Sequence, residues 1–161
     1  MGVVLLSDAE IGDLVAEQKQ LPVDYRTRLA LRPPKRAHQE RELTVIGATG
    51  SEFLILIRQS IHNPLDFSVI LGYRSPSVPH LFRLRRYNGR NHEHKNLIEG
   101  EVFYDFHVHQ ATERYQRLGM AEEAFALPTD RYSDREGALQ AMVADCGFVT
   151  SSDAQMSLFW Q

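Results

Sequence analysis

Cysteine is nearly absent from this chain. Cys146 is the only one in 161 residues, so no intramolecular disulfide can form, and a reducing cytoplasmic setting is the expectation. Cys146 follows an apolar helical pattern, Ala-Met-Val-Ala-Asp, and reads as a small core residue rather than a nucleophile. Long apolar runs are missing too. The opening Met-Gly-Val-Val-Leu-Leu is too short for a membrane span or a signal segment and has no basic flank, and no later stretch approaches about eighteen apolar residues, so no membrane association is expected. There is no P-loop, no Gly-x-Gly-x-x-Gly, no Gly-x-Ser-x-Gly, no Cys-x-x-Cys and no His-Glu-x-x-His. Internal repeats, low-complexity segments and linkers are also lacking, and residues 1–161 read as a single domain.

What the chain does have is histidine in an unusual place. Four of its seven histidines fall in an 18-residue window as two pairs, His92-Glu93-His94 and His107-Val108-His109. Histidine exchanges protons near neutral pH and ligates metals, so chemistry is expected here before anywhere else. Charge is uneven as well. The net charge is −3, yet residues 26–95 carry thirteen Lys/Arg against five Asp/Glu, and both ends of the chain are acidic. A basic middle suits an anionic partner such as RNA or a nucleotide; the alternative is that the acidic ends fold back and neutralise it.

The pattern predicts an α+β fold: N-terminal helices, a five-stranded, mostly antiparallel meander, then C-terminal helices. Ser7-Asp-Ala-Glu10 is a capping box that opens a helix over about 8–19, and Pro22 suits the first turn of a short second helix that ends before Pro33-Pro34. Strands follow over 40–46, 53–57, 67–73, 81–87 and 102–109. The run Phe53-Leu-Ile-Leu-Ile57 is apolar throughout, as expected for a strand covered on both faces. Thr112 caps a short helix that ends at Gly119. Ser133-Asp-Arg-Glu136 reads as a second capping box, with Gly147 just past the end of the last helix. The apolar tail 156–160 is a last strand or a docking segment.

Residues two apart in a strand share a face. Val102, Tyr104, Phe106 and Val108 should therefore face the core, and Asp105, His107 and His109 should line the other side. On the preceding strand Phe82 and Leu84 take one face, and Arg83, Arg85 and Tyr87 take the other. If the strands pair, two arginines stand beside an aspartate and two histidines. The loop over 88–100 adds Arg90, His92, His94 and Lys95. Such a surface suits metal-free cleavage of RNA. His107 and His109 would act as base and acid, Asp105 would orient an imidazole, and Arg83 and Arg85 would stabilise the developing charge. His92, His94, Lys95, Arg90 and Tyr87 would bind the ligand, and Tyr87, Tyr104 or Tyr115 would stack on bases. The basic loop Arg32-Pro-Pro-Lys-Arg36 reads as a solvated linker or a phosphate contact.

The order of elements resembles the small RelE-type ribonuclease toxins of toxin–antitoxin pairs. The stretch Arg86-Tyr-Asn-Gly-Arg-Asn-His-Glu-His-Lys-Asn96 followed by Phe103-Tyr-Asp-Phe-His-Val-His109 is similar to small bacterial and phage proteins with His-x-His hairpins. The resemblance covers 8–119 as architecture and 80–117 at residue level. It implies a metal-independent endoribonuclease with no cofactor, held by an antitoxin or another protein partner. Two other readings stay open. One is a non-catalytic inhibitor or nucleotide-binding protein that uses the basic middle and the tail Leu158-Phe-Trp160. The other is a metallohydrolase ligated by His92, His94, His107 and His109, which Arg90 and Lys95 disfavour by their charge.

Overall fold

The structure, a computed structural model, describes residues 5–31 and 37–150; the basic loop at 32–36 and the apolar tail at 156–160 lie outside the described residues. Helix α1 (Asp8–Ala16) opens with the expected capping box: Glu10 N–H donates to Ser7 Oγ and Ser7 N–H donates to Glu10 Oε1, both at 3.1 Å. It ends before residue 19 because the chain turns there into a two-residue strand, β1 (Lys19–Gln20). The second helix, α2 (Tyr25–Arg28), is a single turn.

Lys19 is fully buried at this turn. Its Nζ donates to the carbonyls of Leu14, Val15, Glu17 and Cys146 at 2.8–2.9 Å and lies 4.3 Å over the Phe53 ring. Helix ends leave carbonyls without partners, and this one ammonium serves the ends of two helices at once. Burial pushes Lys19 down to about 8, which leaves it charged at neutral pH.

The main sheet holds β2 (His38–Ile46), β3 (Glu52–Ser60), β4 (Phe67–Arg74), β5 (Phe82–Asn88), β8 (His107–Gln110) and β9 (Phe125–Pro128), in that spatial order and antiparallel throughout. The five expected strands are there, the last of them shortened, and β9 is a sixth that the sequence reading missed. Two short strands, β6 (His94–Lys95) and β7 (Val102–Phe103), form a separate hairpin. Helix α3 (Glu113–Arg117) is capped by Thr112 as expected. Helix α4 (Arg135–Asp145) is capped by Asp134, not Ser133: the aspartate accepts from Gly137 N–H at 2.7 Å. A carboxylate at a helix N-terminus also gains from the helix dipole. Gly147 follows α4 with φ +73° and leads into β10 (Phe148–Val149), which pairs with β1 in parallel. A Cβ at Gly147 would stand 2.7 Å from Glu17 O, so only glycine fits.

Helices α1 and α4 cover one face of the sheet. Ile11, Val15, Leu139 and Met142 pack there against Phe53, Ile55, Val69, Leu71, Leu84, Tyr87 and Val108. Cys146 is buried in the same core, as expected. The other face of β3 and β4 is also apolar in places, with Leu54 and Ile70 buried.

Strand β5 departs from simple alternation. Leu71 stands opposite Arg85 while Gly72 stands opposite Arg83, so Leu84 is an extra, bulged residue. Beyond the bulge every side chain changes face relative to a regular strand. Arg83, Arg86 and Asn88 point to one side; Phe82, Leu84, Arg85 and Tyr87 belong to the other. No described helix is long and apolar enough to cross a membrane.

Lys19→Met preserves the stem and removes the ammonium, leaving four carbonyls without their donor. The expected loss is about 2–4 kcal/mol in urea denaturation followed by circular dichroism, and a loss under about 0.5 kcal/mol would contradict this reading of the turn.

Candidate functional site

The β5–β8 register sets Arg86 opposite His109 and Asn88 opposite His107. Two rows of side chains therefore cross the same face of the sheet. One runs Leu56, Ile70, Arg86, His109, Ala126; the other runs Arg58, Ser68, Asn88, His107, Pro128. His107 and His109 share a face opposite the core residue Val108, as the alternation predicted. They are not exposed, however: His107 is fully buried and His109 is 3% exposed.

The cover is the β6–β7 hairpin. The chain leaves β5, returns through His94–Lys95, turns over 96–101 and comes back as Val102–Phe103 before bending into β8. The expected continuous strand over 102–109 is broken at 104–106. Val102 and Tyr104 are exposed instead of facing the core, and Phe106 alone of that stretch reaches inward, against Phe67 and Tyr132. The break exists because the hairpin folds over the sheet and is pinned there. Asn96, fully buried, mimics a strand partner for β9: its Oδ1 accepts from Ala126 N–H at 2.9 Å and its Nδ2 donates to Ala126 O at 2.8 Å. Glu99 makes a second anchor, accepting from Arg114 at 2.7 and 2.9 Å and from the Tyr115 hydroxyl at 2.8 Å. Those donors hold the Glu99 carboxyl below the usual carboxylate range against the opposing effect of burial.

Pinning brings His94 onto the two strand histidines. Its ring stacks on His107 (centroids 5.4 Å apart, 20° between planes) and meets His109 edge-on at 4.9 Å. One ring nitrogen from each of His94, His107 and His109 lies within 4.8 Å of the others. Backbone groups fix the tautomers. His107 Nδ1 faces the Asp105 carbonyl at 2.8 Å and His109 Nδ1 faces the Glu123 carbonyl at 2.7 Å, so both donate there. Their Nε2 lone pairs meet only long contacts, from Asn88 Nδ2 and Arg86 Nη2, each 3.4 Å away. Asn96 Oδ1, oriented by Ala126 N–H, accepts a hydrogen bond from His94 Nε2–H at 2.8 Å. Burial, outweighing the Asp105 carbonyl, pushes His107 down to about 4; burial and then the Arg86 charge push His109 down to about 2. Both are neutral imidazoles at physiological pH. Each offers a lone pair on Nε2, and neither carries the second proton that a general acid near neutral pH gives up.

The other expected site residues divide. His92 is exposed, with its ring edge-on to His107 at 5.7 Å, so it stands at the mouth of the cluster. Arg83 lies on the histidine face, 3.7 Å from Glu123 Oε2. Lys95 is exposed on the hairpin, and Arg90 is exposed, stacking on Tyr104 and donating to its carbonyl at 3.1 Å. Asp105 is exposed, and its backbone carbonyl, not its carboxylate, orients His107. Arg85 is on the core side, beside Tyr87, Asp145 and Cys146, because the bulge moved it there. Tyr87 and Tyr115 are fully buried and bonded to Asp145 and Glu99, which removes both from base stacking; Tyr104, expected inward, is the exposed tyrosine of the three. The sequence reading missed Arg86, Asn88, Asn96 and Glu123. Arg86 and Asn88 carry a usable signal, a two-residue spacing that matches His107 and His109. Asn96 and Glu123 carry none.

No known protein family, curated protein or solved structure matches the chain.

Asn96→Ala removes the hairpin's buried anchor. Stability should fall by about 2 kcal/mol, and His107 and His109 should react with diethyl pyrocarbonate much faster than in the parent, measured by peptide mass spectrometry. Unchanged reactivity of both would show that the hairpin is held by something else.

Proposed function

We propose that the protein is a metal-dependent hydrolase of phosphodiester-type substrates, with His94, His107 and His109 as the ligands of a divalent transition ion. One observation carries this reading: the three rings each bring a nitrogen within 4.8 Å of the others, and each ring also has one nitrogen engaged by a backbone carbonyl or a backbone-oriented amide. Metal-binding histidines characteristically have their second nitrogen occupied in this way, which orients the ring. A tetrahedral ion with Zn–N near 2.0–2.1 Å needs nitrogens about 3.3 Å apart, so shifts of roughly an ångström close the set. His107 and His109, kept neutral by burial, are already in the protonation state that ligation requires.

An ion held by three histidines supplies Lewis acidity and an activated water. The protein's own groups do the rest. Asp105 O and Glu123 O hold two rings in place, Asn96 holds the third, and the hairpin keeps bulk water from the cluster. His92, exposed and edge-on to His107, stands at the mouth, where an arriving substrate would meet it. The substrate class follows from charge: Arg83 on the histidine face of the sheet, the exposed Arg90 on the segment that leads into the covering hairpin and the exposed Lys95 on the hairpin belong to the basic middle of the chain, which suits a nucleotide or RNA.

A second reading, cleavage of RNA by histidines alone as in a toxin of a toxin–antitoxin pair, is favoured by one contact, the Arg86 guanidinium beside His109 Nε2. It calls for a protonated histidine at neutral pH, and burial opposes that at both His107 and His109. Chelation separates the two readings. Purified protein should bind about one Zn(II), Co(II) or Ni(II) per chain, read by isothermal titration and elemental analysis. Hydrolysis of bis-p-nitrophenyl phosphate or of RNA should stop in EDTA and return with the metal. His107→Ala should cut metal affinity at least about a hundredfold. Cleavage that persists in EDTA would give the site to acid–base chemistry instead.

A further inference from the structure

Two buried polar atoms next to the histidines have no hydrogen-bond partner among the described residues: Arg86 Nε and Glu123 Oε2. One is a donor and the other an acceptor, and the two charges attract each other. Glu123 is 3% exposed, and its backbone carbonyl is the acceptor that orients His109. Its carboxylate therefore comes from the residue directly behind a proposed ligand. Arg86 stands opposite the same histidine across the β5–β8 ladder, with Nη2 3.4 Å from His109 Nε2. A contact that long on a guanidinium is weak, and it uses a lone pair that a metal ion would need. Glu123 is itself incompletely served: Arg83 Nη1, 3.7 Å from Oε2, is too far for a hydrogen bond.

We infer that Arg86 is a switching residue for the histidine centre, its guanidinium shared between His109 Nε2 and the Glu123 carboxylate, so that metal binding at His109 commits it to Glu123. This rests on the metal reading of the site and adds its regulation. Three neutral ligands give a divalent ion no charge compensation, and a guanidinium a few ångströms away repels it. Turned onto Glu123, the same guanidinium forms a charge-assisted pair, fills both unpartnered atoms and withdraws from the ligand's lone pair. Glu123 thus acts on the ion through Arg86 rather than by ligating it. The carboxylate favours metal binding only while Arg86 is present to be drawn away.

A double-mutant cycle tests this, with Co(II) as the probe and its visible ligand-field absorption as the readout, on the full-length chain. Arg86→Met should tighten Co(II) on the order of tenfold and Glu123→Gln should weaken it by a similar factor. The double variant should bind close to Arg86→Met, because the guanidinium that reaches His109 is gone and Arg83, the other cation beside Glu123, stands 3.7 Å from its Oε2. The band shape should not change in any of them, since neither residue ligates. Metal-free thermal unfolding checks that each variant folds; should Arg86→Met fail, Arg86→Gln replaces it in the same cycle. Equal weakening by Glu123→Gln with and without Arg86, weaker binding by Arg86→Met, or an altered band would overturn the inference while leaving the three-histidine centre intact. Absence of Co(II) binding in the parent chain would overturn the centre itself, and the switch with it.

Discussion

The bulge at Leu84 in β5 sets the partners of both sheet faces. Without it, alternation would carry Arg83, Arg85 and Tyr87 toward the histidines. With it, Arg86 and Asn88 stand across the ladder from His109 and His107, while Arg85 and Tyr87 turn to α4. A single inserted residue thus exchanges one set of neighbours for another over the rest of the strand. The histidines gain one guanidinium and one amide, and the core gains an aromatic ring whose hydroxyl is satisfied by Asp145 at 2.7 Å. The contacts of Arg86 with His109 and of Asn88 with His107 are built on that exchange.

The β6–β7 hairpin converts the face into an enclosed site. A polar row open to water would hold histidines that titrate normally. Closed under the hairpin, His107 and His109 lose the charged form and keep a directed lone pair each. Burying polar side chains is favourable only where hydrogen bonds replace water, and here the replacements are mostly backbone carbonyls and one asparagine. The carbonyl partners cannot be lost to a rotamer change, and the asparagine is itself held by the Ala126 backbone, so the ring orientations are set by the fold.

Much of the fold was legible because it rests on local rules. The capping box at Ser7, the Thr112 cap, the apolar run at 53–57 and Gly147 each follow from one short stretch of sequence. The shared face of His107 and His109 was legible for the same reason. The rest required contacts between distant segments. Nothing in 81–87 marks Leu84 as an extra residue; the bulge appears only when β5 meets β4. Val102 and Tyr104 alternate as core residues would, yet the pull of Asn96 on Ala126 and of Glu99 on Arg114 lifts them away. Strand β9 is too short to announce itself, and Glu123 orients His109 through its backbone carbonyl, which no side-chain pattern marks. Asp105 shows how an expected role can fall to a different group: it does orient His107, with its peptide oxygen and not its carboxylate.

Lys19 has a consequence for the order in which this chain can become native. Its ammonium is shared by the end of α1 and by Cys146, 127 residues further along. During N-to-C synthesis the lysine leaves the ribosome long before its last acceptor exists. Until α4 arrives, the alternative to a costly half-satisfied burial is to stay hydrated, which keeps the α1–β1 turn open. The strands between them are free to pair first, neighbour by neighbour. Closure of the N-terminal segment is then a late step that reports on completion of the sheet, and the β1–β10 pair works as a clasp rather than a nucleus.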